Sequence, residues 1–191
     1  MQLQLPKENP IKNGQYLITF NHNSYFDIFA LTALGYPNTI FLLSEKTIKI
    51  IPVTLLALSI GVRYIPQQHR TNRRLNFFKK MESIINRKKL NIAGASEGVH
   101  EHHHGIDRFN KGIYHLATVC RLNIIPLFIN VPEESNPFNK YNPFKTDTVK
   151  ISVLETVATE NWVLDDLENN KDKVRAMFVK KFNTIHNTSI T

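Results

Sequence analysis

Short runs of β-branched and aromatic residues recur along the chain, each followed by a stretch with helical spacing, and this alternation limits the fold more than any other feature. The runs lie at 15–20 (QYLITF), 39–43 (TIFLL), 61–65 (GVRYI), 90–95 (LNIAGA), 123–131 (NIIPLFINV) and 148–154 (TVKISVL). Helices are expected between and after them, over 24–34, 45–59 with a bend near Pro52, 70–89, 113–121 and 164–186. Strands that alternate with helices imply an α/β fold, with a mostly parallel central sheet covered by helices on both faces. The run 148–154 alternates strictly and reads as a half-exposed strand near an edge. Pro126 has to sit where no ladder bond is needed. No repeat or low-complexity linker divides the chain, so its 191 residues read as one domain, 1–191, whose 42% hydrophobic content supports one core.

In such sheets ligands gather at the carboxyl ends of the strands. Three segments would open there: His22 after the first run, Gln67 to Arg70 after the third, and Glu97 with Gly98 after the fourth. The first stands out because Asn21-His22-Asn23-Ser24-Tyr25-Phe26-Asp27 sets an imidazole and a carboxylate five positions apart. On a regular helix such positions lie about 140° apart, so the two side chains meet only if His22 stands outside the helix and Asp27 inside its first turn. A carboxylate that holds imidazole Nδ1–H leaves Nε2 to take a proton from a hydroxyl, and it stabilises the imidazolium that forms. The same residues also fit a capping box, with Ser24 as N-cap and Asp27 against the helix dipole.

The formal charge of +8 is concentrated in residues 70–89, where eight basic side chains face the single acid Glu82. Leu75, Phe78, Met81 and Ile85 recur there at helical spacing, which predicts a helix with an apolar stripe on the core and a cationic outer face. That face suits anionic lipid headgroups or an acidic carrier protein, or it is simply solvated. Nucleic acid is not expected, since no binding motif or interleaved exposed aromatic accompanies the charge.

The lone Cys120 excludes an internal disulfide and reads as a packed thiol in a reducing compartment. The start MQLQLPKENP lacks the apolar core of a signal peptide. The apolar stretch 50–62 is too short to span a bilayer and fits a core helix or an element dipping into one leaflet. A cytoplasmic protein, peripheral to the inner face of the membrane, is therefore expected. His100 and His102 to His104 lack the spacing of a metal site, so no metal is expected. Glycine-rich phosphate loops and a G-x-S-x-G nucleophile elbow are missing too. Direct transfer assisted by a general base is the simpler chemistry.

Asn21-His22-x-Ser24-x-x-Asp27 resembles the first signature block of the glycerolipid (lysophosphatidate-type, PlsC-like) acyltransferases. Glu97-Gly98 is similar to the family's Pro-Glu-Gly block, Phe109-x-Lys111-Gly112 to its Phe-Lys-Lys-Gly, and Ile124-Ile125-Pro126 to its Val-Pro-Ile block. Lys46 and Gly61 also fall where the family has comparable residues. The resemblance implies that His22 and Asp27 are a catalytic dyad, that Asn21 and Ser24 meet substrate, and that Glu97 and Gly98 position the acceptor. It implies no cofactor. An acyl-CoA or acyl carrier protein would be the co-substrate, a lipid hydroxyl the acceptor and an anionic membrane surface a partner.

The departures are specific. Ser96 replaces the usual proline, Val99-His100 the usual Thr-Arg, and Gln67 an arginine that the family uses on the acceptor's phosphate. Arg63, Arg70, Arg108 or Lys111 would have to compensate, or the acceptor is a different hydroxyl-bearing lipid. The altered blocks also fit a degenerate member that binds lipid or an acidic partner without turnover.

Overall fold

The computed structural model describes residues 2–21, 31–45, 61–97, 105–131 and 148–187. The anticipated runs become strands β2 (Tyr16–Phe20), β3 (Thr39–Ser44), β4 (Arg63–Ile65), β5 (Asn91–Ala95), β6 (Asn123–Asn130) and β7 (Thr148–Val153), joined by an unanticipated β1 (Gln2–Gln4). They form one sheet in the order β1-β7-β6-β2-β5-β3-β4. Neighbours pair in parallel except β6 and β7, which run antiparallel. The helices among the described residues are α1 (Thr71–Lys88), α2 (Lys111–Cys120) and α3 (Leu167–Asn187), the last entered through a 3₁₀ turn, Leu164–Asp166.

β2 is buried along its whole length and pairs with β5 on one side and β6 on the other. Alternate residues serve different layers, as the pleat requires. Leu17, Ile92, Ile124 and Phe128 pack against Met81 and Ile85 of α1, Ile113 and Leu116 of α2, and Val174 and Phe178 of α3. Tyr16, Ile18, Phe20, Ala93, Ile125 and Leu127 face the opposite layer, where Leu31 is buried and Leu34 and Tyr36 lie against it. Residues 31–33 are helical and end at Gly35, whose φ of +60° suits a residue without a Cβ.

The structure differs from the expected one in two respects, at β1 and in α1. β1 is exposed throughout and pairs through its backbone with β7, so its QLQ sequence carries no buried face that a pattern could reveal. β7 alternates and lies near an edge as anticipated, with Val149 and Ile151 buried and β1 as its outer neighbour. In α1 the inward line runs through Arg74, Phe78, Met81 and Ile85, and Leu75 is 55% exposed instead of packed on the core. Arg74 occupies the inward place because its guanidinium donates to the Pro66 carbonyl at 2.8 Å and lies over the Phe78 ring, 5.1 Å from its centroid. Pro126 sits at the end of the β6–β7 ladder, where its carbonyl accepts from Leu154 N–H and only the reciprocal bond is forgone.

Close approach of α1 to α2 depends on Gly112. A Cβ there would lie 2.8 Å from the Phe78 ring and 3.1 Å from the Arg74 guanidinium. The expected bend at Pro52 and the loop expected at 132–146 lie outside the described residues.

Candidate active site

Because β2, β3, β4, β5 and β6 all point the same way, the residues that follow them meet at one rim. Asn21 leaves β2, Glu45 leaves β3, Pro66 to Arg70 leave β4, and Ser96 and Glu97 leave β5. Gln67 to Arg70 and Glu97, the described members of two of the three expected segments, therefore do share an edge, with Asn21 beside them. His22, Ser24, Asp27 and Gly98 lie outside the described residues, as do Lys46, Val99 and the histidine run.

Asn21 is fully buried and bonds the backbone of β6 twice. Its amide donates to Ile129 O at 2.9 Å, and its side-chain oxygen accepts from Ile129 N–H at 2.8 Å. The amide thus continues the β2–β6 ladder with a side chain and fixes the backbone immediately before His22 in sequence.

Next to it, Ser96 N–H donates to Phe20 O at 2.9 Å, a bond that a proline there could not make. The Ser96 hydroxyl bonds the Thr19 hydroxyl on β2 and the Tyr114 hydroxyl on α2, the latter at 2.6 Å. All three residues are buried. Burial pushes the Tyr114 phenol well above its ordinary range, against the opposing effect of the Ser96 and Thr19 bonds, so it stays protonated and neutral. Ser96 O accepts from Asn110 N–H at 2.7 Å, which draws the start of α2 to the same point.

Glu97 is 6% exposed, and its carboxylate accepts from Asp107 N–H at 3.0 Å. A short antiparallel bridge also joins its backbone to Phe109. Of the expected cations, Arg70 and Lys111 are ion-paired within the chain. Arg70 pairs with Glu45 at 3.2 Å, and Arg73 joins the same carboxylate oxygen at 2.8 Å. Lys111 pairs with Glu168 of α3 at 2.6 Å. Arg63 donates to its neighbour's carbonyl, Val62 O, at 3.2 Å, and Arg108 is exposed. Gln67 bonds the Ser44 hydroxyl at 3.2 Å and ties the ends of β4 and β3 together.

Thr19, Tyr114 and Glu45 were not legible as site residues. Only the departure at Ser96 signalled that something polar had to receive it. The Cys120 thiol is pushed up to about 11 by burial and, secondarily, by Glu82, as a packed thiol would be. Among the described residues no cluster of His, Cys, Asp or Glu could hold a metal. No helix among them is long and apolar enough to cross a membrane.

Residues 3–130 match a family model described as Acyltransferase. A putative 1-acyl-sn-glycerol-3-phosphate acyltransferase of Caenorhabditis elegans is 21% identical over 174 residues, 90% of this chain and 61% of that protein. The human 1-acyl-sn-glycerol-3-phosphate acyltransferase alpha is 21% identical over 170 residues, 89% of this chain and 59% of its own length. The chain thus spans about three-fifths of the curated relatives it matches. The crystal structure of PlsC, a 1-acyl-sn-glycerophosphate acyltransferase from Thermotoga maritima, superposes with a TM-score of 0.69 at 17% identity, covering 95% of this chain and 72% of that one. That likeness shows the fold.

Two outcomes are expected. Asn21→Ala removes both bonds to Ile129 and should cost about 2–4 kcal/mol of stability, read as a lower urea midpoint. Cys120, with a folded pKa above the ordinary thiol value of 9.0, should alkylate slowly in the folded chain and accelerate as pH passes about 11. Since the raised value belongs to the folded state, the thiol's contribution to stability is intact below pH 9.0 and lost as pH rises towards about 11. A Cys120→Ser control in alkaline denaturation checks the sign.

Proposed function

The chain belongs to the acyltransferase family, whose model covers residues 3–130, and from that premise we propose that it moves a fatty acyl group from a thioester to a lipid hydroxyl. The donor is an acyl-CoA or acyl carrier protein, and the acceptor is a lysophospholipid-like molecule, as the relatives' names suggest. The observation that supports this reading most directly is the Ser96 N–H bond to Phe20 O, which sets Asn21 and Glu97 side by side at the carboxyl end of adjacent strands.

His22 takes the acceptor's hydroxyl proton, and Asp27 holds the imidazole in the tautomer that leaves Nε2 free. The alkoxide oxygen attacks the thioester carbonyl, the C–S bond breaks, and the thiol leaves with the proton from the imidazolium. Glu97 and Gly98 position the acceptor, a role in which orientation lowers the barrier. Asn21 fixes the backbone ahead of the base.

Protein at the cytoplasmic face of a membrane would meet its lipid acceptor through α1. Lys79, Lys80, Arg87, Lys88 and Lys89 are exposed on this helix and the residue after it. Such side chains favour anionic headgroups at about 1 kcal/mol each near the surface.

His22→Ala should lower turnover by about 10²- to 10⁴-fold, measured as free thiol released from an acyl-CoA with candidate acceptors present. Near wild-type release would remove His22 from the mechanism.

A second reading, lipid or acidic-partner binding without turnover, is favoured by the pairing of Arg70 with Glu45 and of Lys111 with Glu168, which engages cations expected for a phosphate. Under it, His22→Ala leaves binding intact. Charge reversal at Lys79, Lys80, Lys88 and Lys89 should abolish sedimentation with anionic liposomes under either reading, and unchanged sedimentation would exclude α1 as the contact.

A further inference from the structure

Loop 105–110, which follows the Glu97 segment, is held by α3, a helix outside the residues 3–130 that the family model matches. Arg175 of α3 donates from Nε to Asp107 O at 2.8 Å and from Nη2 to Ile106 O at 2.6 Å. Its guanidinium fork thus spans two consecutive carbonyls, a geometry that an ammonium point charge does not reproduce. One of these carbonyls, Ile106 O, belongs to the same peptide group as Asp107 N–H, and that N–H donates to the Glu97 carboxylate at 3.0 Å. A single peptide plane therefore carries the Arg175 cation on its oxygen and the Glu97 carboxylate on its nitrogen.

The two bonds reinforce each other. A cation at the carbonyl polarises the peptide and strengthens the N–H as a donor. It also fixes the direction in which that N–H points. Phe178, three positions on from Arg175, packs edge-on against Phe109 at 5.3 Å, and Phe109 forms the backbone bridge with Glu97. Ile106 is buried in the same core cluster. α3 thus grips both ends of the segment 106–109, through a charge at one end and a ring at the other.

We propose that Arg175 is a positioning residue for the reaction, orienting the Glu97 carboxylate through the 106–107 peptide. This rests on the reading of Glu97 as the group that positions the acceptor. Arg175 itself touches no substrate.

The test uses the full chain with an acyl-CoA and 1-acyl-sn-glycerol-3-phosphate, comparing Arg175→Lys, Arg175→Gln, Glu97→Gln and the Arg175→Lys/Glu97→Gln double variant. Arg175→Lys should lower kcat/KM for the acceptor by roughly 10- to 100-fold, as misplacement of an orienting group does, and leave KM for the acyl-CoA unchanged. The double variant should be no slower than Glu97→Gln alone, because a positioning residue has no effect once the group it positions is gone. Losses that multiply, or equal effects on donor and acceptor, would overturn the proposal.

Amide hydrogen exchange gives a readout that needs no turnover. The Asp107 amide should exchange faster in Arg175→Lys and Arg175→Gln, while the β6 amides keep their protection. Unchanged exchange at Asp107 refutes the clamp, and loss of protection across β6 assigns Arg175 to global stability and refutes it too. If the wild-type chain shows no His22-dependent thiol release, the functional reading fails, and the exchange result still decides whether Arg175 holds the peptide.

Discussion

The parallel pairing of β2 between β5 and β6 carries the rest of the structure. A strand hydrogen-bonded on both edges and buried on both faces has no register freedom, because a slip of one residue would exchange the side chains of its two layers. With Phe20 opposite Ala95 and Leu127, the residues that leave the three strands emerge at fixed offsets. Asn21 and Ser96 are neighbours for that reason. The chemistry proposed for this rim begins with the residue after each.

A rim built on a dry sheet has to satisfy the polar groups it buries. An amide, two aliphatic hydroxyls and a phenol lie below the surface here, and each finds a partner. Left unpaired, any of them would cost about 1–3 kcal/mol. Paired, they pin the end of β2 to β6, the end of β5 to β2, and α2 to both. Ser96 is central because its N–H bonds β2, its carbonyl the start of α2, and its hydroxyl both elements. Where the family has a proline, this chain has a residue that joins three elements, and Tyr114 and Thr19 receive it.

Positive charge follows a different logic. The arginines nearest the rim are partly engaged: Arg70 and Arg73 on Glu45, Arg74 on a carbonyl and an aromatic ring. Arg70 and Arg73 are themselves exposed, and ion pairs of exposed side chains contribute little to stability. The remaining basic residues of α1 face solvent, and the helix presents charge outward while Met81 and Ile85 anchor it. On the far side Arg175 turns inward, and its cation acts on a peptide group instead of an acid.

The alternation of apolar runs and helical stretches determined the α/β class, and the start and end of most strands, because burial on both faces demands unbroken β-branched sequence. It also determined which segments leave the carboxyl ends, and so that Gln67 to Arg70 and Glu97 share an edge. β1 was illegible, since an exposed strand held by backbone bonds leaves no mark in side-chain pattern. Leu75 misled, because helical spacing admits Arg74 to the inward line once a carbonyl and a ring are there to receive it. Tertiary structure alone decided that Ser96 meets Thr19 and Tyr114, that Lys111 meets Glu168, and that Arg175 reaches the peptide behind Glu97. These contacts join residues far apart in the chain, and a side chain's partner is set by the packing of whole elements, which no local sequence rule encodes.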